Sequence, residues 1–116
     1  MPAAALHRVI VSSSDLADTL PLYEGVLGLL LERRADGFAW LRSADGVEIM
    51  LHERPAAASD TAVAVTFAVS RLDDVVARWV AAGGSLIDAP ERRPWGERMA
   101  VVRDADGHVV CLSETP

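Results

Sequence analysis

Two periods in the apolar positions predict the elements of this chain. Short β-branched runs are typical of strands, and apolar side chains that recur every three or four residues are typical of amphipathic helices. The predicted strands are Leu6–Ser12, Leu29–Arg34, Phe38–Arg42, Val47–His52, Thr61–Val69, Ser85–Asp88, Arg98–Arg103 and His108–Ser113. The predicted helices run from Ser14 or Asp15 to Gly28 and over Leu72–Ala82. Because the apolar stripe of each helix must be covered, each helix is expected to pack on a sheet.

Two places in the pattern predict irregular structure. Pro21 lies inside the first helical segment, where a proline costs about 3 kcal/mol, so we expect a kink or a helix that starts late. Residues 89–97 follow no apolar period and predict a long loop that contains Trp95.

The order of the elements repeats along the chain. Phe38–Glu53 aligned with Met99–Glu114 has seven identities in sixteen positions, and Arg8–Gly28 aligns with Ala64–Gly84. The offset grows from 56 to 61 positions, so the second copy has five extra residues in its long loop. Such a repeat predicts an α+β fold of two tandem β-α-β-β-β units.

Length and composition narrow the classes of function. A chain of 116 residues suits a single domain, 1–116, with unit one at about 6–53, a linker at 54–60 and unit two at about 61–114. No apolar run reaches the roughly 20 residues that span a membrane, and no signal peptide is evident. The single cysteine indicates a reducing, cytoplasmic location. A net charge of −6 argues against nucleic acid as a partner and favours cationic or neutral ligands.

Four stretches of the chain resemble a known family. They are Val9–Leu16, Leu22–Leu29, Trp95–Arg98 and Asp104–His108. Together with the repeat they resemble the vicinal oxygen chelate superfamily, which includes glyoxalase I, bleomycin-resistance proteins and extradiol dioxygenases. The family usually has proline where this chain has Ala105. The resemblance implies curved sheets around a cavity and a homodimer. It does not imply one function, because the family has many chemistries.

The resemblance also implies where a metal ion would be held. Metal-dependent members use His, Gln or Glu on the first and last strands of each unit, and those positions correspond here to Arg8, Met50, Ala64 and Cys111. Arginine is a permanent cation and alanine has no donor atom. Methionine and thiolate suit soft metals, and two of them alone do not make a site. We therefore expect no metal at this position and no other cofactor.

An alternative metal site remains open. His7, Glu48 and His52 could form a ligand set if a bulge turned His7 inward, because a shift of one residue moves a strand side chain to the opposite face. The plainer interpretation is that both histidines are partly solvated residues near strand ends.

Alternation along the strands predicts the lining of the cavity. Phe38 and Trp40 are placed inward because the small Ala39 suits a face packed on a helix. The full predicted set of ligand-binding residues is Arg8, Ser12, Phe38, Trp40, Glu48, Met50, Trp95, Met99 and Cys111. Each has a structural interpretation as well: the apolar members could fill a core, Arg8 and Glu48 could pair with each other, and Trp95 could anchor its own loop.

Three functions compete on these observations. The first is a metal-free protein of the bleomycin-resistance type that sequesters a small organic compound, cationic or aromatic. The second is a glyoxalase-, lyase- or dioxygenase-type enzyme with an atypical metal ligand set. The third is a metal-free enzyme in which Glu48, with a raised pKa, acts as the base. Catalytic residues are otherwise unknown.

Overall fold

The computed structural model describes residues 2–116 as two units with the same order of elements. The strands are β1 (Arg8–Ser13), β2 (Leu30–Ala35), β3 (Phe38–Arg42), β4 (Glu48–Glu53), β5 (Val65–Val69), β6 (Ser85–Arg92), β7 (Arg98–Arg103) and β8 (Val109–Glu114). The helices are α1 (Leu16–Leu20), continued by a π-helical segment (Pro21–Val26), and α2 (Leu72–Ala81).

Each unit forms a four-stranded sheet of the same topology. The strand order is β1-β4-β3-β2 in the first sheet and β5-β8-β7-β6 in the second. The first strand of each unit is parallel to the last, and the other neighbours are antiparallel. This confirms the predicted α+β fold of two β-α-β-β-β units, and neither sheet closes into a barrel.

Three element boundaries differ from the prediction. The first helix does not start late; it changes to π-helical geometry at Pro21, where the ring removes one N–H donor of the α-helical ladder. The strand predicted from Thr61 begins only at Val65. The first four residues of the predicted long loop are strand, because β6 continues to Arg92 with two register shifts against β7.

Hydrogen bonds explain several identities of the repeat. Glu53 accepts from the backbone N–H of Leu16, and Glu114 accepts from that of Leu72, at 2.9 and 2.8 Å. Each glutamate at the end of the last strand thus satisfies a free donor at the first turn of its own unit's helix. The same holds for the tight turns, where Arg42 and Arg103 each donate to the carbonyl of the glycine four residues later, at 2.8 and 2.7 Å.

The core lies between the sheets and the helical segments and is shared by both units. In β3 and β4 every second residue is fully buried, as Ala39, Leu41, Ile49 and Leu51 are, and these side chains face the helices. Tyr23 joins the two units, since its ring meets the edges of both Phe67 and Trp79.

A second set of contacts between the units comes from the β7–β8 turn. Tyr23 donates to the Asp104 carboxylate at 2.8 Å, and Asp104 is only 4% exposed. Asp106 accepts from the backbone N–H of Ser14 at 3.0 Å, and the Nε2 of His108 contacts the carbonyl of Ser12 at 2.8 Å. Polar contacts therefore tie this turn of the second unit to the start of the first.

Candidate functional site

Each sheet has one face packed on the helices and one face left open. The residues that alternate with the buried ones are partly exposed in β3, β4, β7 and β8. On the first sheet this open face includes Phe38, Trp40, Glu48, Met50 and His52, with Arg8 and Ser12 from β1 beside them. The predicted assignment of faces to these strands agrees with the burial pattern.

An aromatic row crosses the open face of the first sheet. Phe38 and Trp40 lie nearly parallel, with ring centroids 5.4 Å apart and planes inclined by 17°. His52 lies against Phe38 with centroids 4.4 Å apart and planes inclined by 20°. The register explains the row, since Phe38 is directly opposite His52 and Trp40 is opposite Met50. We call Phe38, Trp40 and His52 the aromatic row.

Arg33 adds a cation to this row that the sequence analysis did not find. Its Cζ atom lies 3.9 Å from the centre of the Trp40 ring. A register shift between Leu31 and Arg33 removes Glu32 from the pairing and places Arg33 opposite Trp40. A regular hairpin would have placed Glu32 there, and a bulge of this kind has no clear signature in a single sequence.

An ion-pair network lies at one end of the aromatic row. Arg8 pairs with Glu48, and Arg42 lies 4.0 Å from the other oxygen of Glu48 and 2.7 Å from Glu32. The hydrogen bond from Arg8 is the main reason that the pKa of Glu48 is lowered from its usual value. The raised pKa expected of Glu48 is therefore wrong, because a neighbouring cation stabilises its charged form.

The open face of the second sheet has a different chemistry. Met99, Cys111 and Ser113 lie on it, with Met99 opposite Ser113. Glu97, which the sequence analysis did not select, precedes Met99 by two residues and accepts a hydrogen bond from Ser113. That bond and a second one from Trp95 lower the pKa of Glu97. Period-two alternation carried back from Met99 would have indicated Glu97.

Trp95 anchors its own loop. The ring is 69% exposed, and its Nε1 donates to Glu97 at 2.8 Å. Of the two roles considered for this residue, the loop anchor has a contact to support it. Glu97 also accepts from Ser113, so the loop that contains Trp95 lies beside the open face of the second sheet.

The alternative metal ligands are not brought together. Glu48 and His52 are four residues apart on one strand, about 13 Å at the usual rise per residue. The pairing of β1 with β4 has no register shift from Arg8 to Ser13, and His7 lies just before this paired segment. Within residues 2–116, the acidic, histidine and cysteine groups that cluster at metal-binding distance are Asp104, Asp106 and His108.

The cluster at Asp104 is occupied by protein contacts. The Asp104 carboxylate accepts from Tyr23 and from the backbone N–H groups of Asp106 and His108. The Asp106 carboxylate and the His108 ring both contact the first unit. These bonds assign the cluster to the joint between the units.

The predicted lining residues do not enclose a cavity within one chain. Two apolar cavities of about 470 and 280 Å³ lie between the units, lined by residues such as Val9, Ile49 and Phe67. Of the predicted set only Ser12 lines either of them. The rest of the predicted residues form two open surfaces, one on each sheet.

The sequence matches the profile of the Glyoxalase/Bleomycin resistance protein/Dioxygenase superfamily over residues 5–112. The chain belongs to this superfamily. No curated protein matches the sequence. No helix among the described residues is long and apolar enough to cross a membrane.

Solved structures share the fold of this superfamily member at low sequence identity. A glyoxalase-related enzyme from Fulvimarina pelagi superposes with a TM-score of 0.85 at 18% identity, over 98% of this chain and 90% of that one. A glyoxalase/bleomycin resistance protein/dioxygenase family enzyme from Burkholderia phytofirmans PsJN gives 0.81 at 20% identity, over 97% and 100%. TioX from Micromonospora sp. ML1 gives 0.72 at 24% identity, over 96% and 98%.

The residues that the resemblance assigns to metal-ligand positions do not fit a metal ion. Arg8 is a cation already paired with Glu48, and Ala64 lies just before β5 with no donor atom. Met50 and Cys111 lie on strands of different sheets. Such a set lacks the converging oxygen or imidazole ligands that catalytic divalent ions need.

Proposed function

We propose that this protein binds a small aromatic organic molecule on the open face of its first sheet, without a metal ion. The observation that carries the proposal is the aromatic row, which lies beside the Arg8–Glu48 pair. Stacked aromatic side chains with a few polar groups at one end are typical of sites for organic ligands. Sequestration of an antibiotic or another xenobiotic is the biological role that fits such a site.

The proposed site is completed by a second copy of the chain. In a single chain the open faces expose apolar side chains such as Ile10, which is 53% exposed. A small domain buries only about two-thirds of the surface of its unfolded chain, so a homodimer that covers these faces gains apolar burial. Sedimentation at micromolar concentration tests this part, and a single-chain species would contradict it.

Naphthamide, a neutral planar compound, is a suitable probe for the site. We expect it to shift the indole N–H resonance of Trp40, which an NMR spectrum of the Trp40→Leu variant assigns by its loss. Trp79 supplies an internal control because it is fully buried and donates to the carbonyl of Arg103 at 2.7 Å. A probe that binds but moves only the Trp79 signal, or no binding at millimolar concentration, would contradict the proposal.

The metal-dependent enzyme remains the competing function. It requires that a divalent ion bind the folded chain.

A further inference from the structure

Arg33 lies on the aromatic row as a guanidinium without an acidic partner. Its Cζ atom is 3.9 Å from the centre of the Trp40 ring. Arg8 and Arg42 on this face are paired with Glu48 and Glu32. Arg54 donates to the hydroxyl of Ser12 at 2.7 Å. Within residues 2–116 no carboxylate lies at ion-pair distance from Arg33, and its side chain is exposed.

The contact with Trp40 leaves the donors of Arg33 available. A cation over a ring face is held by the ring quadrupole and not by hydrogen bonds, so the five N–H donors of Arg33 stay available to a ligand. The ring also holds the side chain in place, which lowers the entropy lost when a ligand binds. Arg33 is therefore a preorganised donor to a carboxylate that lies beside the Trp40 ring.

The aromatic row itself favours the same sign of charge. Each of its rings lies nearly parallel to a neighbour, so ring faces are engaged within the row and ring edges remain for a ligand. Aromatic edges are the positive part of the ring quadrupole. The charged groups around the row are two carboxylates and four guanidinium groups, those of Glu32, Glu48, Arg8, Arg33, Arg42 and Arg54.

The local charge of the site thus opposes the net charge of the chain. The total of −6 favoured a cationic or neutral ligand, whereas this face carries four arginines against two carboxylates. Contacts within a few ångströms outweigh exposed charges beyond the Debye length of about 8–10 Å. We infer that the ligand is a planar aromatic anion whose carboxylate, or an equivalent acidic group, pairs with Arg33. This inference rests on the proposed function.

Three naphthalene derivatives of similar size test this inference by calorimetric titration. They are naphthoate, an anion; naphthamide, which is neutral; and naphthylmethylammonium, a cation. We expect naphthoate to bind about tenfold more tightly than naphthamide, as one charge-assisted hydrogen bond allows, and the cation to bind most weakly. Arg33→Gln should bring naphthoate to the affinity of naphthamide and leave naphthamide within about twofold.

Arg34→Gln is the matched control. It removes the same charge one residue along β2, but Arg34 is opposite Ala39, whose side chain faces the helices, so it points away from the row. Both ligands should bind this variant as they bind the unchanged protein. Equal binding of naphthoate and naphthamide, or equal losses in Arg33→Gln and Arg34→Gln, would overturn the inference and leave the proposed aromatic site standing. Failure of all three compounds to bind would overturn the proposed function and the inference with it.

Discussion

Replacing Tyr23 by phenylalanine tests the joint between the two units. The hydroxyl of Tyr23 donates to Asp104 at 2.8 Å in a buried environment. A hydrogen bond to a charged group contributes about 1.5–3 kcal/mol. Asp104 keeps its two backbone donors in the variant, so we expect a loss of about 2 kcal/mol, within that range. With an unfolding entropy of about 2.1 cal/mol/K per residue, this corresponds to a melting temperature about 8 °C lower.

The same contact predicts an unusual alkaline titration. Burial, and then the charge of Asp104, raise the pKa of Tyr23 well above 10.0. A phenol whose folded pKa is raised stabilises the fold fully below the unfolded pKa and loses this contribution as pH rises. The unchanged protein should therefore lose stability above about pH 10 relative to Tyr23→Phe.

The amino-acid composition allows the titration of Tyr23 to be followed without interference. Tyr23 is the only tyrosine and the chain has no lysine, so tyrosinate absorbance reports one side chain in a range where little else titrates. We expect the absorbance to rise only as the protein unfolds, whereas in denaturant it should rise near pH 10. A folded protein that titrates near pH 10, or a Tyr23→Phe variant within about 0.5 kcal/mol of the unchanged protein, would refute the reasoning.

Two further predictions concern packing and acid stability. Gly84→Ala should lower the free energy of unfolding by at least about 1–3 kcal/mol, because the added Cβ would lie 2.1 Å from the Nε1 of Trp79. Gly25→Ala is the control: its Cβ meets nothing within 4 Å, and it should be neutral or slightly stabilising. Equal losses of the two variants in denaturant unfolding would contradict the packing at Gly84. Glu48→Gln should flatten the acid side of the stability profile, because Arg8 lowers the pKa of Glu48 and the contribution, present above about pH 4.3, is lost as pH falls through the folded value. Unfolding midpoints from neutral pH to about pH 3 check this second point, and an unchanged acid limb would contradict the ion pair.

The fold was predictable because it depends on periods and on a repeat. Alternation in β3 and β4 separates the fully buried Ala39 and Leu41 from the partly exposed Phe38 and Trp40, and this separation requires only that strands have a period of two. The identical residues of the repeat lie in the turns and at the strand ends, where Glu53 and Glu114 accept hydrogen bonds from backbone N–H groups of the helices. Both kinds of signal are local in the sequence.

The parts of the site that were missed depend on long-range or irregular geometry. Arg33 reaches Trp40 only because a bulge shifts the register of β2. The sequence left open whether Arg8 pairs with Glu48, and the register of β1 against β4, 40 residues apart in sequence, brings the two side chains together. The contact of Tyr23 with Asp104 joins residues of different units. No pattern within a window of the sequence indicates such neighbours.

The most direct test of a site that binds an organic ligand in place of a metal is the melting temperature of the protein in the presence of metal ions. The protein is first treated with a chelator and then heated with Zn²⁺, Ni²⁺, Mn²⁺ or Fe²⁺. A ligand that binds only the folded state must raise the melting temperature. Arg8 offers a dication no ligand atom, and it already occupies the Glu48 carboxylate. We predict that none of the four ions gives a saturable rise. A saturable rise that Glu48→Ala or His52→Ala abolishes, while Met50→Ala leaves it intact, would contradict the account and favour the metal-dependent enzyme.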